Sequence, residues 1–270
     1  MTTIACWFNK EHPNHSTWVC GDSKISSPTS TLLESGAKIF SVPVMCLAPS
    51  NTGFFDKQVY YANIGMAYAG SSLVGLNLNA ALSTCLSRLN THGNPPSLSD
   101  IANFASRLLH LYVSQLSVTA GVNALCEIAI VGHCPMENEL KIYHLEPQVD
   151  VTSFRYNTTP YSSSGSGDEF VLLLGADKGR ILSQINAQRS GQRDIAWWRK
   201  PMRVIEDEVS ASENRKIGGH LQLGICNQFG FQAYSLCRPP PSPFLSYLGF
   251  DVASDFGNIG GCRIGMPGMA

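Results

Sequence analysis

Apolar and β-branched residues gather into two short runs at the start of the chain, Thr3-Ile-Ala-Cys-Trp-Phe8 and Thr17-Trp-Val-Cys20, separated by the polar stretch Asn-Lys-Glu-His-Pro-Asn-His. Such runs around turn-forming residues predict a β-hairpin. A second extended pair follows over 38–46 and 59–68, joined by a Pro, Ser, Asn and Gly-bearing segment at 48–57. The period then changes. Leu78, Leu82, Cys85 and Leu89 recur at helical spacing between Ser71 and Leu89, as do Ile101, Phe104, Ala105, Leu108, Leu111 and Tyr112 between Ser99 and Leu116. Thr91-His-Gly-Asn-Pro-Pro breaks between them, so two antiparallel helices are expected.

Beyond the helices, 125–131 and 140–145 read as strands, and the Ser, Thr, Tyr and Gly-rich stretch 152–167 reads as a flexible loop. Phe170-Val-Leu-Leu-Leu174 has the continuous apolar character of a strand covered on both faces. Ile181, Leu182 and Ile185 mark one further helix, and Trp198, Met202, Ile205 and Val209 another. The last paired runs are 219–226 and 229–237. The Pro and Gly-rich remainder, 238–270, reads as a tail or arm, which leaves 2–237 as one domain. Strands, two helices, strands, two helices and strands again predict an α+β fold, with two stacked sheets and helices over their outer faces. The absence of uniform βαβ alternation argues against a doubly wound parallel sheet.

Composition narrows the function classes. Of 270 residues only 14% are charged, against about 25% in an average soluble domain. A thinly charged surface predicts that other subunits cover part of it. Nineteen basic against twenty acidic residues leave no basic stripe for a phosphate backbone, so nucleic acid is not expected as a partner. The N-terminal stretch lacks a secretory pattern, and no apolar run is long enough to span a bilayer; no membrane association and a cytoplasmic location are expected. Nine scattered cysteines, without a C-x-x-C pair, predict reduced, buried thiols. His12, His15, His92, His110, His133, His144 and His220 show no H-E-x-x-H or paired Cys/His spacing, so no metal site is expected. Gly165-Ser-Gly167 does not complete a nucleotide fingerprint, and no cofactor is expected. Trp197-Trp198 reads as a core or subunit-contact element.

The candidate chemistry begins at Thr2. Removal of Met1 would leave a residue whose hydroxyl is the nucleophile and whose own α-amine, with an ordinary pKa of about 7.7 to 8.0, is the base. Asp22 closes the first hairpin and Lys38 opens the next strand, sixteen positions later. A lysine ammonium beside Thr2 would favour its deprotonated forms, and the aspartate would hold that lysine in place.

Thr2-Thr-Ile, Gly-Asp22, Gly-x-Lys38 and Tyr68-Ala-Gly70-Ser-Ser72 together resemble the proteasome β-subunit and HslV family of N-terminal threonine hydrolases. Weaker correspondence at Gly175 and Ile217-Gly-Gly219 extends the resemblance over most of 2–237. It implies the four-layer αββα sandwich of the Ntn-hydrolase fold. Thr2 is then the nucleophile, Asp22 and Lys38 its tuning pair, and Gly70 the donor to the oxyanion, with Tyr68 and Ser72 flanking a substrate pocket. A homo-oligomeric ring or spiral, a peptide or protein substrate, and an ATP-dependent unfoldase as partner are implied too. Three positions depart from the pattern: Ala176, Asn214 and Ile217 stand where relatives carry polar groups around the threonine amine. The leading expectation is a threonine-type peptidase or amidase; the alternatives are a non-catalytic assembly subunit and an amidase for small non-peptide substrates.

Overall fold

The computed structural model describes residues 2–13, 15–27, 30–150, 154–211, 217–238, 244–252 and 257–269. In chain order the strands begin with β1 (Thr3–Asn9), β2 (Ser16–Asp22), β3 (Ile25–Ser26), β4 (Thr31–Leu33), β5 (Ile39–Pro49) and β6 (Phe55–Gly70). Helix α1 (Ser72–Leu86), β7 (Leu89–Asn90) and α2 (Leu98–Ala120) follow, then β8 (Cys126–Cys134), β9 (Glu139–Val149), β10 (Phe154–Ser162) and β11 (Leu172–Gly175). After α3 (Lys178–Gln188) and α4 (Ile195–Ser210) come β12 (Leu221–Asn227), β13 (Gly230–Arg238), β14 (Phe244–Tyr247) and β15 (Phe250–Asp251). The short β16 (Asn258–Ile259), β17 (Cys262–Arg263) and β18 (Gly268–Met269) end the chain. The fold is α+β, as the element order predicts.

The chain divides into two compact units. The first comprises Met1–Phe40, Gly167–Ile225 and Gln232–Ala270. Its sheet has the order β11-β1-β2-β12-β13-β14-β15, with β18 also on β13. Helix α4 packs over β1 and β2, and α3 packs beside α4 and β11. Ala5, Trp7, Trp18 and Cys20 from the hairpin meet Ile181, Ile185, Val204 and Ile205 from the helices in one apolar cluster. Trp7 is buried inside it, with its indole N–H donating to the Trp198 carbonyl at 2.9 Å, so the ring's one polar group is satisfied.

The second unit comprises Ser41–Ser166 and Cys226–Phe231. Its sheet, in the order β10-β9-β8-β6-β5-β7, carries α1 and α2. Ser97 starts α2 with a reciprocal capping box to Asp100, and Leu98, Ile101, Ala102, Ala105, Leu109 and Val113 form its buried stripe. The side of β8 that bears Gly132 faces this helix, because a Cβ there would meet Leu98 at 2.9 Å.

The expected flexible loop at 152–167 is corrected over 154–162 by β10, which pairs with β9 from Phe154↔Val149 to Ser162↔Lys141; residues 152 and 153 lie outside the described residues. Its Thr and Tyr residues are strand formers, and as an edge strand it needs no apolar alternation on both faces. Against the expectation of buried thiols, Cys85, Cys237 and Cys262 are exposed, while the other six cysteines are buried. No helix among the described residues is long and apolar enough to cross a membrane.

Candidate active site

In the first unit the hairpin register brings the start of the chain to Asp22. Ile4 pairs with Gly21, so Thr3 and Asp22 stand one place further along the same ladder. Position 21 has no room for a side chain, since a Cβ would overlap the Ile4 Cδ1 and lie 3.0 Å from the Thr3 carbonyl. The Gly-Asp pair is therefore a close-approach glycine followed by an acid. Asp22 Oδ1 accepts the Thr3 backbone N–H at 3.1 Å, and Ala176 donates its N–H to the Thr2 carbonyl at 2.9 Å. Thr2, only 6% exposed, is thus fixed from both flanking strands.

Lys38 completes the cluster. Its Nζ donates to Asp22 Oδ1 at 3.0 Å and to the Lys24 carbonyl at 2.6 Å, with both ionic side chains buried. Gly218 donates its N–H to Asp22 Oδ2 at 3.3 Å. Burial pushes the Lys38 ammonium below the ordinary lysine range, against the attraction of Asp22. Burial likewise raises Asp22, opposed by Lys38 and by the N–H groups of Thr3 and Gly218. The pair is a charge couple taken out of water, whose partners hold each other ionised.

Sequence reasoning missed the residues that aim Lys38. Gln222 on β12 is buried; its Oε1 accepts the Lys38 backbone N–H at 3.1 Å, while its Nε2 donates to the Gly36 carbonyl at 2.8 Å. One amide thus clamps both ends of the Gly36-Ala-Lys38 segment. Ser23 donates its hydroxyl to the Glu34 carbonyl and accepts the His220 N–H at 2.7 Å. The signal available in the sequence was a polar residue at position 222 in a strand that is otherwise without polar side chains up to Asn227.

Two of the three departures, Ala176 and Ile217, have structural explanations. Ala176 contributes through its backbone: besides its N–H, its carbonyl accepts from the Thr3 hydroxyl at 3.3 Å. Ile217 is a core residue of the first unit, packed with Ala5, Trp7 and Cys20 in the same cluster. Met1 and Asn214 lie outside the described residues.

Gly70, Tyr68 and Ser72 belong to the second unit. Gly70 ends β6 at a φ of 114°, and a Cβ there would stand 2.5 Å from the Leu125 carbonyl. That geometry admits only glycine at the strand-to-helix junction. Ser71 caps α1, and Ser72 is its first residue. Tyr68 is buried, with its ring against Gly75 of α1.

With this geometry in place, comparison with solved structures gives a fold match. Anbu (ancestral beta-subunit) from Yersinia bercovieri superposes with a TM-score of 0.53 at 14% identity, covering 86% of this chain and 82% of that one. The Anbu (Gly-1) mutant from Hyphomicrobium sp. strain MC1 gives 0.54 at 12% identity, covering 92% and 87%. The chain has the Anbu fold. No family model matches the sequence, and no curated protein does. The expected proteasome β-subunit or HslV-like assignment is corrected accordingly, because the Anbu proteins are proteasome-like but a distinct family. The physical reason is that Gly-Asp22 and Gly-x-Lys38 describe a site, and one site pattern does not separate branches that share a fold.

Proposed function

We propose that the chain is a threonine-type peptidase or amidase acting through Thr2. What carries this reading is the buried Lys38–Asp22 pair, whose acid also takes the Thr3 N–H and so ties the chain start to the lysine. An ammonium has three donors; two are committed to Asp22 and the Lys24 carbonyl, and the reading assigns the third to the Thr2 hydroxyl. After loss of Met1, the Thr2 Oγ attacks a carbonyl carbon while the free α-amine takes the hydroxyl proton. The amine then passes that proton to the leaving nitrogen as the acyl–nitrogen bond breaks. Water, deprotonated by the same amine, cleaves the ester and restores Thr2.

The role of Gly70 as oxyanion donor, and of Tyr68 and Ser72 beside the substrate, belongs to the same proposal. So does the four-layer αββα arrangement. A second reading, a non-catalytic subunit of a homo-oligomer, is favoured by one observation. Helix α1 carries no charged residue and exposes Leu73 and Leu76, as a helix covered by another subunit would.

Intact-mass measurement before and after a threonine-directed β-lactone tests the enzyme reading. The expected result is a chain lacking Met1 that gains one adduct, lost in Thr2→Ala. A retained Met1 with no adduct overturns it, because a blocked amine cannot act as base.

A further inference from the structure

We propose that Glu127, His144 and Glu146 form a binding site for a divalent transition-metal ion. The three offer ligand atoms that all lie within 4.8 Å of one another. They belong to the second unit, and their placement follows from register. Ala129 pairs with His144 and Ile128 with Leu145 across β8 and β9. Since side chains alternate along a strand, Glu127 shares a face with Ala129 and His144, and Glu146 shares that face with His144. It is the face opposite α2, because the Gly132 side, of the other parity, meets Leu98.

The surroundings suit an ion. Ala69 pairs with Glu127 and Ala67 with Ala129, so β6 contributes only methyl groups beside the three ligands. On the other flank β10 sets Asn157 opposite Glu146 and Thr159 opposite His144, with the Asn157 amide donating to the Thr159 hydroxyl at 3.2 Å. His144 is 5% exposed. Two carboxylates opposed on neighbouring strands repel each other, and partial burial adds to the cost. A dication between them offsets both effects, and a neutral imidazole adds a third ligand without adding charge. Ligand–ion distances of about 2.0 to 2.2 Å put ligand atoms roughly 3 to 4 Å apart, within reach of small side-chain rotations from the observed spacing. Two oxygens and one imidazole nitrogen suit Mn²⁺ or Zn²⁺ better than a soft ion. Positions 127, 144 and 146 form no sequence motif, because only the pairing of β8 with β9 brings them together.

The competing occupant is a proton on His144, which would neutralise the cluster without metal. Titration of the full chain with Mn²⁺, followed by loss of the free-ion electron paramagnetic resonance signal, separates the two, since Mn²⁺ avoids the exposed thiols. The expected result is about one equivalent bound per chain, with affinity falling at least tenfold in His144→Ala and in Glu146→Gln. Unsaturable signal loss, or equal binding by both variants, overturns the site. Should the variants not fold, Co²⁺ added to the unaltered chain decides. Saturable d–d bands shifted from those of aqueous Co²⁺, without a thiolate charge-transfer band, support the proposal; the aqueous-ion band alone, or a thiolate band alone, refutes it. Thr2→Ala is expected to bind Mn²⁺ unchanged, so the metal site stands or falls apart from the threonine chemistry.

Discussion

Lys38 Nζ lies 3.0 Å from Asp22 Oδ1, with both side chains buried. A buried pair of this kind is sensitive to the loss of one partner more than to the loss of both. Lys38→Met leaves a carboxylate uncompensated in the interior and is expected to destabilise the fold by about 3 to 5 kcal/mol. The double replacement Asp22→Leu with Lys38→Met removes the charge altogether and is expected to recover most of that loss. Urea unfolding of the two variants checks this; a double variant no more stable than the single one would show that the cluster's hydrogen bonds, not its charge balance, hold the site.

The same pair predicts a pH profile. In the proposed mechanism the α-amine must be neutral and Lys38 charged, so acylation of Thr2 follows a bell-shaped curve. Because burial lowers Lys38, the alkaline limb is expected below the ordinary lysine value of about 10.4. Raising pH removes the ammonium that favours the deprotonated threonine, and the rate falls. Lys38→Arg keeps its charge throughout the accessible range, so any activity it retains should lack that limb. An unchanged alkaline limb in Lys38→Arg would assign the second ionisation to another group.

The Asp22–Lys38 pairing within the candidate site was legible because its pieces are local signals. Asp22 directly follows Gly21 and Lys38 stands two places after Gly36, at turns out of and into strands, and the structure gives those glycines a steric reason at Ile4 and Ile25. Gln222 was hidden because its partners, Gly36 and Lys38, lie more than 180 positions away in the chain, a pairing that only the β2–β12 neighbourhood creates. Strand β10 escapes a sequence reading because polar Thr, Asn and Tyr residues look alike in a loop and in an edge strand. The four α-helices among the described residues, by contrast, bury a repeating stripe that periodicity exposes, although Cys85, Leu111 and Leu182, counted in the expected stripes, are exposed.

Gln222→Leu offers a test of the clamp on Lys38. The substitution keeps volume but leaves the Lys38 N–H and the Gly36 carbonyl without their partner, at a cost of about 1 to 3 kcal/mol for each buried group. Gln222→Glu, protonated at low pH, keeps an acceptor for Lys38 and offers its O–H to the Gly36 carbonyl in place of the amide, with altered geometry. Thermal melts at low pH are expected to rank the native chain above Gln222→Glu, and both above Gln222→Leu; equal melting of the Leu variant and the native chain would remove the clamp from the account.

Thiol accessibility gives an independent check on the described fold. Cys85, Cys237 and Cys262 are exposed, whereas burial pushes Cys226 up to about 12 and raises Cys6 and Cys126 further. Ellman titration under native conditions is expected to find three fast thiols of the nine, and all nine after denaturation. If Cys85 alone is slow, α1 is covered in solution, which would favour the assembly reading.

Glycine replacements separate backbone strain from steric conflict. Gly53 has a φ of 82° with nothing within 4 Å of where a Cβ would stand, so Gly53→Ala meets only the conformational penalty, about 1 to 2 kcal/mol. Gly219 has a φ of 74°, but its Cβ would overlap the Glu34 carbonyl and the Ser23 hydroxyl, in the turn that backs Asp22. Gly219→Ala must therefore displace backbone as well, and its loss should clearly exceed that of Gly53→Ala. The displacement would also reach Asp22, because Gly218 donates to its Oδ2. Chemical denaturation of both variants, with β-lactone labelling of each, is the measurement. The expected outcome is near-native labelling in Gly53→Ala and reduced labelling in Gly219→Ala even well below its unfolding transition. Equal stability of the two variants would contradict the close packing of this turn, and equal labelling would separate that packing from the chemistry at Thr2.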